Sequence, residues 1–316
     1  MNMESSEIWS LKTISLKAIY TSLEKILFQK NKQKQDSSKL LKRNLEKKIN
    51  KRRQLENVDH VDLMNTYKKK NKEIDFNQTE GKNILPLMNP ELMFEVPEDI
   101  DNWIAVLCPD GIRCYVVAKN NKTKAIATSG KTINCFQSLF PYGQCLQDNR
   151  IRSRRIQTVL DCVYSAQLRK FYVLDVLEWL DMPCTYYDAD FRFSFVESRL
   201  NLIQGINKVS EKNYFPFEMA PRMVTSDFYQ YILDNGKFFP ENVNLDRIYF
   251  YNPESYYISN TPTALWLKPF MITDVLQKPI NDQIELQRPL NYVDIFEYDK
   301  NLKTNKKEKS SSDSKK

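Results

Sequence analysis

The chain has 316 residues, 41% of them hydrophobic and 28% charged, with a formal net charge of +7. That length holds one large domain or two small ones, and the positive excess calls for an acidic partner, either nucleic acid or an acidic protein surface. Six cysteines stand singly at positions 108, 114, 135, 145, 162 and 184, and His60 is the only histidine, which excludes the usual zinc patterns. No apolar run is long enough to span a membrane and the N-terminus lacks a secretory pattern, so reduced thiols in the cytosol or nucleus are expected.

Residues 4–30 carry Ile8, Leu11, Ile14, Leu16, Ile19, Leu23 and Leu27 at roughly helical spacing. This predicts a helix within an N-terminal extension, residues 1–35. Residues 30–53 hold eleven Lys or Arg against two acids, Asp36 and Glu46. A second helix is predicted over 36–66, capped by Asp36, Ser37 or Ser38. Leu41, Leu45 and Ile49 give it a thin apolar stripe among Lys42, Arg43, Lys47, Lys48, Lys51, Arg52 and Arg53. A helix with so little to bury is marginal without a partner. Residues 67–84 read as a flexible linker.

From about residue 85 the pattern changes to strands, and most of the Phe, Tyr and Trp follow. Trp103–Leu107 runs into a turn at Pro109-Asp110-Gly111, Cys114–Ala118 follows, and Asn120-Asn121 turns the chain again. Thr158–Tyr164 and Phe171–Leu177 flank a short polar loop, the signature of a hairpin. Ile248–Tyr251 and Leu265–Leu267 are further short strands, and segments 191–206 and 225–235 look helical. Many antiparallel strands with a few helices predict an α+β fold over residues 85–290. The Lys/Ser-rich end, residues 291–316, is expected to be a disordered tail.

The segment Cys108-Pro109-Asp110-Gly111-Ile112-Arg113 has the frame of the nucleotidyl-transfer motif K-x-D-G-x-R with cysteine at the lysine. A turn glycine admits a ligand close to the backbone, and arginine forks onto phosphate oxygens. Taken alone, D-G-x-R reads as an ordinary hairpin turn before it reads as a ligand site. Further stretches follow in the order of ligases and capping enzymes: Leu160-Asp161, Tyr172-Val173-Leu174-Asp175-Val176, Asp246-Arg247-Ile248-Tyr249-Phe250 and Trp266-Leu267-Lys268-Pro269. The order resembles a capping-enzyme or DNA-ligase nucleotidyltransferase fold of antiparallel sheets with flanking helices. Two features of the active enzymes are replaced, the lysine by Cys108 and the glycine after Asp246 by Arg247.

Trp266 reads either as a core residue or as a platform for a base; a methylated guanine is cationic, so indole stacking gains a cation–π component. Trp103 and Trp179 lie within apolar strands and read as core. Five stretches together resemble the snurportins, adaptors that import spliceosomal small nuclear ribonucleoproteins. They are Trp103-Ile-Ala-Val-Leu-Cys-Pro-Asp-Gly-Ile-Arg113, Val159-Leu-Asp-Cys-Val-Tyr164, Tyr172-Val-Leu-Asp-Val-Leu-Glu-Trp179, Asp190-Phe-Arg-Phe193 and the run from Thr261 to Leu276. The resemblance implies a catalytically inactive domain over 85–290 that binds the trimethylguanosine cap of small nuclear RNA.

Carried over by position, Trp266 falls on the family's cap-stacking tryptophan, Gly111, Ile112 and Arg113 on its cap-contacting turn, and Lys268 on a basic position suited to phosphate. Pro90 and Thr128 stand where the family has a serine and a lysine that contact the cap, and Leu92 where it has a tryptophan; Lys124 or Lys131 would restore the lost charge. The basic helix over 36–66 resembles the family's importin-beta-binding segment, or else is a solvated or RNA-touching helix. The resemblance implies an import adaptor without a cofactor, shuttling between cytoplasm and nucleus; a monomer is the default expectation, with the oligomeric state left open by the sequence. A general RNA-binding protein with a basic arm and an active nucleotidyltransferase with a displaced lysine are the alternatives.

Overall fold

The computed structural model describes residues 87–144, 156–180, 182–240, 243–258 and 263–313, with side chains through 304. These belong to one compact unit, Val58–Lys316. The basic segment 36–66 and the linker 67–84 lie outside the described residues.

The chain alternates between two mainly antiparallel sheets. Strands β1 (Glu91–Leu92) and β2 (Ile104–Pro109) belong to the first. Strands β3 (Ile112–Lys119), β4 (Lys122–Ala127), β5 (Thr132–Phe136), β6 (Thr158–Ser165), β7 (Lys170–Trp179) and β8 (Met182–Pro183) build the second. Helix α1 (Ala189–Asn201) leads to β9 (Phe217–Met219), which pairs in parallel with β7. The chain then returns to the first sheet with β10 (Arg222–Val224), crosses α2 (Thr225–Asp234), and closes it with β11 (Leu245–Tyr251) and β12 (Ala264–Leu267). The order in the first sheet is β1-β12-β11-β2-β10. Short helices α3 (Ile272–Val275) and α4 (Asp282–Glu285) precede a longer one, α5 (Ile295–Asp313).

Strands β3, β6 and β7 are apolar on consecutive residues because both their faces are covered. Tyr115 and Val117 enter one core cluster, shared with the first sheet, while Cys114, Val116 and Ala118 enter a second. Val196 and Leu200 of α1 close that second cluster. Asp188 caps α1 by accepting from the Phe191 N–H at 2.8 Å. On the far face of the first sheet, Phe228 of α2 meets Phe250 of β11 edge to face, with ring centroids 6.0 Å apart.

Two charged pairs sit inside this core. Arg192 of α1 forks onto Asp175 of β7 through Nε and Nη2, both at 2.9 Å, and its Nη1 donates to the carbonyls of Tyr187 and Ser255. Both residues are fully buried, so each charge depends on the other. Asp161 of β6, equally buried, is held in the same manner by Arg113 of β3.

Two expectations need correction. The Pro109–Ile112 segment is not a hairpin turn: β2 and β3 lie in different sheets, and the segment carries the chain from one to the other. The C-terminal segment is not uniformly a disordered tail, since 295–313 is helical. Its first turn explains why. Asp294 accepts from the Glu297 N–H at 2.8 Å, Ile295 is buried, Phe296 stacks on Phe94 at 5.4 Å, and Tyr298 approaches Phe270. A capped, docked first turn nucleates a helix that composition alone disfavours.

Candidate functional site

Strand register places Trp266 in the fold. Leu92, Trp266, Tyr249, Val106 and Arg222 are successive cross-strand partners, so they form one row across the first sheet. Residues of one row share a face. That face looks toward the second sheet: the Arg113 guanidinium of β3 lies over the Tyr249 ring at 5.6 Å, and Arg222 Nη2 donates to the carbonyl of Val173 in β7 at 3.0 Å. Trp266 therefore stands on the inner face, one strand from the sheet edge, and only the two-residue β1 lies beyond it. It is partly buried and packs on the core at its base, unlike Trp103 and Trp179, which are core residues as expected.

The next row holds Cys108 opposite Arg247. Between Leu245 and Arg247 the pairing slips by one residue, which makes Asp246 the extra residue of a bulge. Freed from the ladder, the Asp246 carboxylate receives Lys268 Nζ on Oδ1 at 2.5 Å and Arg247 Nε on Oδ2. Burial alone would raise its pKa; Arg247 and then Lys268 outweigh burial and hold it below the ordinary carboxylate value. The Arg247 guanidinium lies over the Trp266 ring, 5.1 Å from its centroid. Position 247 was noted in the sequence only as a lost glycine; its stacking on Trp266 becomes visible once register pairs Tyr249 with Trp266 and puts residue 247 on the same face.

Cys108 is buried at 3% exposure, and burial pushes its thiol up to about 12, with Arg247 pulling back only in part. At neutral pH it is an uncharged thiol, which is a poor nucleophile.

The turn residues divide. Ile112 is 47% exposed and Gly111 lies at the surface beside it. A Cβ on Gly111 would stand 2.5 Å from the Tyr164 carbonyl oxygen and 2.7 Å from a Val163 methyl, so glycine is needed here for close approach to β6. Arg113 points inward and commits Nε and Nη2 to Asp161 at 3.0 and 2.6 Å. Tyr257 completes the group, donating its hydroxyl to Asp161 at 2.9 Å and accepting from the Met88 N–H at 3.1 Å. The structure thus brings Trp266, Lys268 and Arg113 to one face of the first sheet. Of the departing positions, Pro90 is buried just before β1 and Thr128 is exposed in the β4–β5 turn. Lys42, Arg43, Lys47, Lys48, Lys51, Arg52 and Arg53 lie outside the described residues.

An indole, two cations and one carboxylate can stack a planar base and receive a phosphate. Comparison with solved structures gives partial likenesses to a mycobacterial DNA ligase D complexed with ATP and MES and to the ligase domain of M. tuberculosis LigD. Each has a TM-score of 0.38, 13% identity and 62% of this chain covered. This chain spans about three fifths of those chains, 61% and 60% respectively. The family model described as Snurportin1, m3G cap-binding domain, matches residues 86–269, which hold β1 to β12, Trp266 and Lys268. With more than half of its length in that match, the chain belongs to the snurportin family through its m3G cap-binding domain.

Proposed function

We propose that this chain is a non-enzymatic nuclear import adaptor: residues 85–290 bind the trimethylguanosine cap of spliceosomal small nuclear RNA, and residues 36–66 bind importin-beta. The observation that carries the cap reading is Trp266, a partly buried indole on the inner sheet face within a matched cap-binding domain. Stacking of a base on such a ring contributes about 1–3 kcal/mol, and the charge of a methylated guanine adds to it. Lys268, beside Trp266 on the same strand end, supplies charge for the cap phosphates. The buried neutral thiol of Cys108 supports a binding role over nucleotidyl transfer. The basic segment complements an acidic karyopherin surface and gains its helix on binding. A monomer moving between cytoplasm and nucleus fits this role.

Fluorescence quenching by trimethylated, monomethylated and unmethylated guanosine caps tests the cap reading, with Trp266→Ala in parallel. Strong quenching by the trimethylated cap that disappears in the variant is expected. An equal response to all three caps, or none, would refute it. Titration of the full chain with importin-beta tests the second module; binding that weakens steeply as salt rises is expected.

A further inference from the structure

We infer that Arg247 is a resident competitor for the Trp266 platform: its guanidinium occupies the indole face and must leave, or be repelled, when a cationic base binds. The inference rests on the cap reading and concerns how that site is regulated by its own side chain.

The geometry is specific. The guanidinium carbon lies 5.1 Å from the ring centroid, within the cation–π range. A guanidinium is planar, delocalised and positive. A methylated guanine base shares all three properties, so both compete for the same negative face of the ring. If the base takes the face Arg247 covers, Arg247 must swing away. If the base takes the opposite face, two like charges share one ring and weaken each other. Both arrangements have the same sign: removing Arg247 favours a cationic base.

The arm is both held and movable. Arg247 Nε is bonded to Asp246, whose other oxygen is bonded to Lys268 at 2.5 Å. If Arg247 departs, Lys268 still pairs with the carboxylate, so the partly buried Asp246 keeps a cationic partner. The Arg247 side chain is 35% exposed, which gives it a path to solvent. Once released, its remaining donors can turn to a phosphate. The same residue thus opposes the base and attracts the phosphates, so a ligand that offers both is penalised less than the base alone.

The test separates these two actions by using trimethylguanosine nucleoside, which has no phosphate, alongside the complete cap. Arg247→Ala and Arg247→Gln are compared with the wild type, in a Trp9→Phe background, by cap-induced fluorescence quenching. The nucleoside should bind roughly 2- to 30-fold tighter to both variants, the range of a cation–π contact, with a smaller gain for the complete cap. Acrylamide, a neutral quencher, should also reach Trp266 more readily in both variants, with Trp266→Phe identifying its share of the signal. A wild type that binds the cap while the variants bind the nucleoside equally or more weakly would overturn the competitor and leave the cap reading intact. Failure of every protein to respond to trimethylated cap and nucleoside would overturn the cap reading, and this inference with it.

Discussion

Arg113 and Asp161 lie diagonally across neighbouring strands, Arg113 opposite Val163 and Asp161 opposite Tyr115, and join through two hydrogen bonds, at 3.0 and 2.6 Å. The arginine of the D-G-I-R turn is therefore a structural strut as well as a neighbour of the site. Removing one partner of a buried pair typically costs about 3–5 kcal/mol; Arg113 keeps some exposure, so about 3 kcal/mol is expected for Arg113→Ala. Urea unfolding measures it. An unchanged midpoint would mean that the pair is dispensable and that Arg113 is free to serve a ligand.

Gly111 yields a prediction of the same kind from a different cause. Its Cβ position is filled by the Tyr164 carbonyl and a Val163 methyl. Gly111→Ala must push β3 from β6 or distort the turn, at a cost of about 1–3 kcal/mol. Thermal unfolding reads the loss, and an alanine variant as stable as the wild type would show that the approach relaxes freely.

Asp246 sets a pH dependence. Its folded pKa is depressed below the ordinary 3.8, so its contribution to stability is complete above that value and lost as pH falls through the lower folded value. The gap in stability between wild type and Asp246→Asn should be constant near neutrality and close below about pH 4. Denaturation at a series of pH values checks this; a gap that opens as pH falls would reverse the sign and remove the pairing with Arg247 and Lys268.

The thiols should differ sharply in reactivity. Cys135 is exposed, whereas Cys108, Cys114, Cys162 and Cys184 are buried, and burial raises the pKa of each of these four. Alkylation followed by peptide mass spectrometry should modify Cys135 well before those four. Incubation with labelled GTP or ATP should leave no adduct on a denaturing gel; a covalent nucleotide would refute the non-enzymatic reading.

The strands were legible because both faces of β3, β6 and β7 are buried, which leaves apolar runs that nothing else explains. Trp103 and Trp179 as core, and the hairpin of Thr158–Tyr164 with Phe171–Leu177, followed from the same signal. Pairing across sheets was not legible. The turn at Pro109–Ile112 has the local chemistry of a hairpin, and only the partners of β2 and β3 reveal that it joins two sheets. Arg192 drew notice as part of a motif, yet its hold on Asp175 depends on the packing of α1 against β7. The C-terminal helix was hidden because its Lys/Ser-rich length outweighs one capped turn. Trp266 was singled out by its type and place in a motif, while Arg247 lying over it required strand register.

Strand β1 lies parallel to β12, with Leu92 beside Trp266 and the Met93 N–H bonded to the Trp266 carbonyl at 3.1 Å. Strands from the two ends of the matched domain thus meet at Trp266. Contacts so distant along the chain close a large loop and form slowly. During synthesis the second sheet can pair while β12 is still unmade, but the first cannot be completed. The Trp266 face is therefore among the last parts to assemble, and a nascent or truncated chain lacking residues 264–267 has no such face.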